Sequence, residues 1–128
     1  MARILVAEDE RDIRELVAFS LRGLGGFDVT QAANGVEAVE RAQAEPPDLI
    51  LMDVRMPKMN GFEACRKLKE SDRTKNIPVI FLSARGQESE IQQGLTAGAV
   101  EYIIKPFAPD ELVNQVRTVL ARLKASPK

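Results

Sequence analysis

The chain has 128 residues, 45% of them hydrophobic, which suits one compact domain with a single core and leaves little for a second. Its 18 basic and 19 acidic side chains leave a net charge of -1 with no long block of one sign, which disfavours direct nucleic-acid binding, since that needs a basic stripe. Glu8-Asp9-Glu10 interrupts the opening apolar run before it could serve as a signal peptide, and the stretch Ile77 to Leu82 is far too short to span a bilayer, so a soluble, cytoplasmic protein with no membrane role is expected.

Short apolar runs alternate with longer amphipathic segments, the pattern of βα units around a parallel sheet. The first strand is expected over Arg3 to Ala7, followed by a helix with Ile13, Leu16, Val17, Leu21 and Leu24 on one face, ended by Gly23-Leu24-Gly25-Gly26. A second strand over Phe27 to Gln31 leads to a helix capped by Asn34, with Glu37 three residues on, an inner stripe of Val36, Val39 and Ala42, and Pro46-Pro47 as its stop. The third strand spans Asp48 to Met52. Asn60 and Glu63 repeat the capping pattern ahead of a helix carrying Cys65. A fourth strand over Pro78 to Leu82 precedes a weaker helix from about Gln87 to Thr96, and a fifth strand covers Val100 to Ile104. The last helix starts at Pro109, with Leu112, Val116, Val119, Leu120 and Leu123 inward, and reaches about Lys124. Residues 1–124 thus form one (βα)5 domain, 125–128 a short tail, and no output domain fits within the chain.

Cys65 is the only cysteine, which excludes an internal disulfide; a small core residue and a reactive thiol are the two readings of it. The chain has no histidine, so the usual zinc ligand sets and any Ser-His or Cys-His nucleophile pair are absent, and it cannot itself carry a phosphohistidine.

In open α/β sheets, ligand and reaction sites lie just beyond the carboxyl ends of the strands. Asp53 follows the buried run Leu49-Ile50-Leu51-Met52, where a charge is poorly explained by packing. Glu8 and Asp9 follow the first strand, and they converge with Asp53 if the first and third strands are neighbours. Three carboxylates packed together repel one another, and a hard divalent cation, best magnesium, relieves that repulsion. The other reading of Glu8-Asp9-Glu10 is a helix N-terminus favouring acids, which fits Glu10 better than Asp9. Ser83-Ala84 ends the fourth strand and Lys105 the fifth, so a hydroxyl and an ammonium leave the same edge and could hold phosphoryl oxygens. Taken singly, Ser83 could cap a helix and Lys105 could be a solvated surface charge.

With Glu8-Asp9, Asp53-Val54-Arg55-Met56-Pro57-Lys58-Met59-Asn60-Gly61, Ser83-Ala84 and Lys105-Pro106-Phe107 each at a strand end, the sequence resembles the receiver domains of two-component response regulators, of the chemotaxis single-domain type. The resemblance covers nearly the whole chain. It implies a flavodoxin-like, doubly wound three-layer sandwich with a five-stranded parallel sheet in order 2-1-3-4-5. It implies that Asp53 is the phosphoacceptor, taking a phosphoryl group from a phosphohistidine on a histidine kinase or histidine phosphotransfer protein. Magnesium would be held by Asp9, Asp53 and the backbone carbonyl of Arg55, with Glu8 acting through water. Lys105, Ser83 and Ala84 would surround the phosphoryl group, Ser83 and Tyr102 would switch, and the Lys105-Pro106 bond would be cis. The face of the fourth helix, fifth strand and fifth helix would then dock a downstream protein, the receiver being a monomer or a weak phosphorylation-dependent dimer. Such a chain is a phosphorylation-activated switch of a phosphorelay, an enzyme only toward its own aspartyl phosphate. Tyr102 also reads as a half-buried strand aromatic. Arg55 and Arg85 read either as solvated arginines or as groups that set the lifetime of the aspartyl phosphate.

Other classes fit less well. A haloacid-dehalogenase phosphatase carries a second Asp where this chain has Arg55; a flavin carrier needs a phosphate-cradling loop where Glu8-Asp9-Glu10 would repel phosphate; no G-x-x-x-x-G-K-[ST] motif is present. The alternatives that stay open are a phosphorylation-independent interaction module and a receiver excised from a longer regulator.

Overall fold

The computed structural model describes residues 2–84, 98, 101–105 and 107–125. The helix expected over 87–96 lies outside the described residues, as do Arg85 and Pro106 and therefore the expected cis bond. Among the described residues the strands are β1 (Arg3–Ala7), β2 (Asp28–Ala32), β3 (Leu49–Asp53), β4 (Val79–Ala84) and β5 (Glu101–Lys105). The helices are α1 (Arg11–Gly23), α2 (Gly35–Ala44), α3 (Gly61–Lys69) and α4 (Pro109–Ala125), the last being the helix expected fifth in the chain. All strands pair in parallel, in the order β2-β1-β3-β4-β5. Helices cover both faces, giving the expected flavodoxin-like, doubly wound three-layer sandwich.

Strand alternation divides the core in two. Leu5, Ile50, Met52, Val79 and Phe81 pack with Ala38, Ala42, Phe62, Cys65 and Leu68 beneath α2 and α3. Ile4, Val6, Leu49, Leu51, Ile80, Leu82 and Ile103 pack with Val17, Leu21, Leu112 and Val116 beneath α1 and α4. Cys65 is part of the first layer, and burial pushes its thiol up from the usual range, so it stays unionised at neutral pH as a core residue.

The helix starts follow the capping chemistry. Asn34 Oδ1 accepts from the Glu37 N–H at 2.9 Å, and Asn60 and Glu63 close a full capping box, with bonds of 2.9 and 3.1 Å. Two helix faces differ from expectation. Leu16 on α1 and Leu24 just past its end point outward, while Ala18 points inward; on α2 the buried positions are Gly35, Ala38 and Ala42, while Val36 and Val39 are half-buried. Small residues let a helix lie close on its sheet, and the bulkier neighbours then sit at the flank. Four strands also run one or two residues further than expected: β2 to Ala32, β3 to Asp53, β4 to Ala84 and β5 to Lys105. A polar side chain does not stop its backbone from pairing, so the residues expected just past the strands are their last rungs.

Leu51 is fully buried in the layer beneath α1 and α4, whereas Phe19 is 75% exposed on α1. In urea unfolding, Leu51→Ala should lower stability by about 3 kcal/mol, through lost burial and the cavity left behind. Phe19→Ser should change it by less than about 0.5 kcal/mol.

Candidate functional site

The carboxyl edge of the sheet collects the ionisable residues. Parity explains which of them meet: Glu8 continues the Ile4, Val6 side of β1, Asp53 the Leu49, Leu51 side of β3, and Lys105 the Ile103 side of β5. All three extend the face covered by α1 and α4. There the Lys105 ammonium bridges two acids, its Nζ lying 2.9 Å from Glu8 Oε1 and 2.9 Å from Asp53 Oδ1. Asp9 joins them from the turn after β1, and carboxylate oxygens of Glu8, Asp9 and Asp53 all lie within 4.8 Å of one another. Asp9 is exposed, while Glu8 and Asp53 are buried.

Glu8 is held at every polar atom. Its N–H donates to the Ala32 carbonyl at 3.0 Å, and its carbonyl accepts from Arg14 at 2.8 Å. Oε1 takes the Lys105 bond, and Oε2 accepts the Glu10 N–H at 3.1 Å. Arg14, anchored to Gln31 at 3.2 Å, was not marked by any sequence pattern; its role is visible only once β1 and β2 are adjacent. Glu10 is the residue before α1 and makes no side-chain cap bond, so its contribution is limited to charge near the helix start.

Asp53 is the last rung of β3 and pairs with Leu82; Ser83 is one rung further along β4, opposite Ile104, and Ala84 pairs with Lys105. Ser83 is buried, in the parity of Phe81 rather than of Asp53. Phe81 lies opposite Tyr102 with ring centroids 6.1 Å apart, and Phe62 meets Phe81 edge-to-face at 5.2 Å. Tyr102 is half-buried, and its carbonyl accepts from Gln115 of α4 at 3.3 Å.

Beside the acids lies an open cavity of about 450 Å³ lined by Asp9, Val54, Arg55, Met56, Pro57, Asn60 and Phe62. One wall is the loop after β3 and the other is Asp9. Gly61 closes the loop: its N–H donates to the Val54 carbonyl at 2.8 Å, and a Cβ there would meet the Asp53 carbonyl oxygen at 2.4 Å. A glycine after Asn60 could have signalled such a close approach, but the sequence does not say to what.

Electrostatically the site is strained in its carboxylate form. Burial pushes Glu8 up from 4.5 to about 7, against the Lys105 hydrogen bond and with the Asp53 charge adding to the rise. Burial likewise raises Asp53 above its ordinary value, with Lys105 opposing. Burial alone would depress Lys105, but its bonds to Asp53 and Glu8 outweigh that and raise it. A divalent cation among the acids would relieve the same strain, and the donor set, all carboxylate oxygens, suits a hard ion such as magnesium.

The sequence matches the family model for the response regulator receiver domain over residues 4–117. It is 39% identical to the DNA-binding dual master transcriptional regulator RpaA of Synechocystis sp. over 128 residues, covering 100% of this chain and 53% of that protein. It is 43% identical to the phosphate regulon transcriptional regulatory protein PhoB of Escherichia coli over 121 residues, covering 94% of this chain and 52% of PhoB. The chain thus spans about half the length of these curated relatives. Among solved structures, a response regulator from Chloroflexus aurantiacus superimposes with a TM-score of 0.90 at 36% identity, covering 94% of this chain and 98% of that one. The chemotaxis protein CheY4 of Vibrio cholerae gives 0.87 at 34% identity, covering 93% and 98%.

The raised Glu8 pKa sets a pH dependence. The folded state binds more protons than the unfolded one between pH 4.5 and about 7, so the stabilisation is full below 4.5 and is lost as pH rises toward 7. In chelator-treated buffer, urea unfolding free energies of the parent should fall across this window, and Glu8→Gln should remove most of the slope. An equal slope in Glu8→Gln would assign the proton to another group.

Proposed function

The chain belongs to the response regulator receiver domain family, and from that premise we propose that Asp53 accepts a phosphoryl group from a phosphohistidine on a partner histidine kinase or phosphotransfer protein. The observation that carries this is the Lys105 ammonium set 2.9 Å from Asp53 in a cluster that also holds Asp9 and Glu8. Nucleophile, cation and metal-suited acids are then within reach of one transferring group.

In the proposed transfer an Asp53 carboxylate oxygen forms a bond to phosphorus as the P–N bond to the donor imidazole breaks. The imidazole nitrogen leaves with the electron pair and takes up a proton. Phosphoryl transfer spreads charge over the equatorial oxygens, so the protein's contribution is positioning and charge neutralisation. Lys105 would release Glu8 or Asp53 and pair with the phosphoryl oxygens, and the Ser83 hydroxyl and the space beside Ala84 would receive another oxygen. Magnesium, when bound by Asp9, Asp53 and the Arg55 carbonyl, would supply positive charge to those oxygens. Glu8, already bonded to Lys105 and to the Glu10 N–H, would act on the ion only through water.

Movement of Ser83 would leave space that Tyr102 fills. Tyr102 is half-buried against Phe81, and its carbonyl is tied to α4, so a change in the ring is felt on the face of β5 and α4 where a downstream protein would dock. We place the protein in the cytoplasm as a monomer or weak phosphorylation-dependent dimer; among the described residues no helix is long and apolar enough to cross a membrane. Residues 1–124 would be the working receiver, with any further output supplied by another chain or by a longer regulator.

Incubated with magnesium and a small phosphoryl donor, the protein should gain one phosphoryl group by intact mass, and Asp53→Asn should gain none. No gain in the parent, under conditions that label a known receiver, would favour phosphorylation-independent binding. Arg55, exposed on the cavity wall, and Arg85 are proposed to restrict the attacking water. Arg55→Ala and Arg85→Ala should each change the dephosphorylation rate several-fold, and unchanged rates would remove that role.

A further inference from the structure

Gly35 opens α2, and its backbone is not in the left-handed region, so an alanine could adopt the same conformation and is the better helix former. The glycine therefore answers to space rather than to backbone geometry. A Cβ at Gly35 would lie 2.1 Å from the carbonyl oxygen of Met59, 2.8 Å from its carbonyl carbon and 2.9 Å from its Cβ. The two nearest atoms are main chain and cannot rotate away, so the loop carrying Met59 would have to retreat on the order of 1 Å to reach ordinary contact distance.

That loop has little slack. Its base is pinned where Gly61 N–H meets the Val54 carbonyl at 2.8 Å, and its tip is a tight turn, with Met59 N–H donating to the Pro57 carbonyl at 2.7 Å and Lys58 at φ 68°. A non-glycine residue at such a φ carries strain, so the turn depends on its surroundings to hold it. Val54, Arg55, Met56, Pro57 and Asn60 of the same loop face Asp9 across the cavity. Displacing Met59 therefore alters the gap between the loop and Asp9.

We infer that Gly35 is a positioning residue for the metal side of the site: the bare start of α2 seats the Met59 carbonyl and so fixes the Arg55 main chain relative to Asp9 and Asp53. This rests on the proposed reading of Asp9, Asp53 and the Arg55 carbonyl as magnesium ligands. Magnesium demands near-octahedral geometry at about 2.1 Å, so a ligand displaced by a fraction of an ångström weakens it.

Magnesium binding measured by titration calorimetry tests the inference. Gly35→Ala should bind about tenfold more weakly than the parent, the scale of lost supporting contacts at metal sites, and labelling of Asp53 should recover at high magnesium. Gly23→Ala, whose added Cβ meets nothing within 4 Å, should bind as the parent does. If Gly35→Ala fails to fold, Gly35→Ala with Lys58→Gly relaxes the strained turn and lets the loop retreat; it should fold and still bind weakly. Parent-like affinity in a folded Gly35 variant, whatever its melting temperature, would overturn the inference. Absence of binding in the parent would instead overturn the metal reading on which it rests.

Discussion

The Lys105 ammonium between Glu8 and Asp53 is the contact on which the site depends. Two buried carboxylates at one sheet edge repel each other and resist desolvation, and a shared cation is what lets both stay close. The bridge links β5 to β3 and β1 across the intervening β4, a separation of about 10 Å from β5 to β3 alone. It closes only if β1, β3, β4 and β5 stand in that order and if all three side chains share the α1/α4 face. A one-residue slip in any of those strands would send its charge to the other face. Fold and site are therefore one constraint: the topology brings the charges together, and their pairing requires the register.

The bridge leaves the acids only partly relieved, as the upward shifts of Glu8 and Asp53 indicate. On the proposed reading this is useful, because a site fully satisfied by its own lysine would gain little from a metal ion or a phosphoryl group. Lys105 bridges the two acids, and on the proposed reading it would be released from one of them when a phosphoryl group arrives. Ser83 and Tyr102 stand on the other face of the sheet, in line with the Phe62, Phe81 and Tyr102 rings. On the proposed reading the acids and Lys105 would do the chemistry on one side of the strand ends and the ring series would carry the readout on the other, with Phe62 reaching the cavity wall at one end and Tyr102 on β5 at the other.

The alternation of apolar runs and amphipathic segments carried the parallel sheet, and the charges after those runs carried the site, because a charge at the end of a buried strand has few structural uses. What sequence reasoning missed has particular causes. The apolar runs of the third and fifth strands end at Met52 and Ile104, yet Asp53 and Lys105 are ladder rungs, since backbone pairing is indifferent to side-chain polarity. Leu16 and Leu24 were assigned to the core on helical spacing, but the sheet accepts the Val17, Ala18 and Leu21 stripe and leaves them outside. Gly35 and Arg14 act through neighbours distant in sequence, Met59 and Gln31, so no local pattern marks them.

The most direct test of the account is a high-resolution crystal structure with magnesium and a phosphoryl mimic such as beryllofluoride. The account predicts the mimic on an Asp53 oxygen, the ion between Asp9, Asp53 and the Arg55 carbonyl, and Lys105 turned from the carboxylates toward the mimic. A mimic bound elsewhere, or Lys105 still bridging Glu8 and Asp53 with the mimic in place, would contradict it.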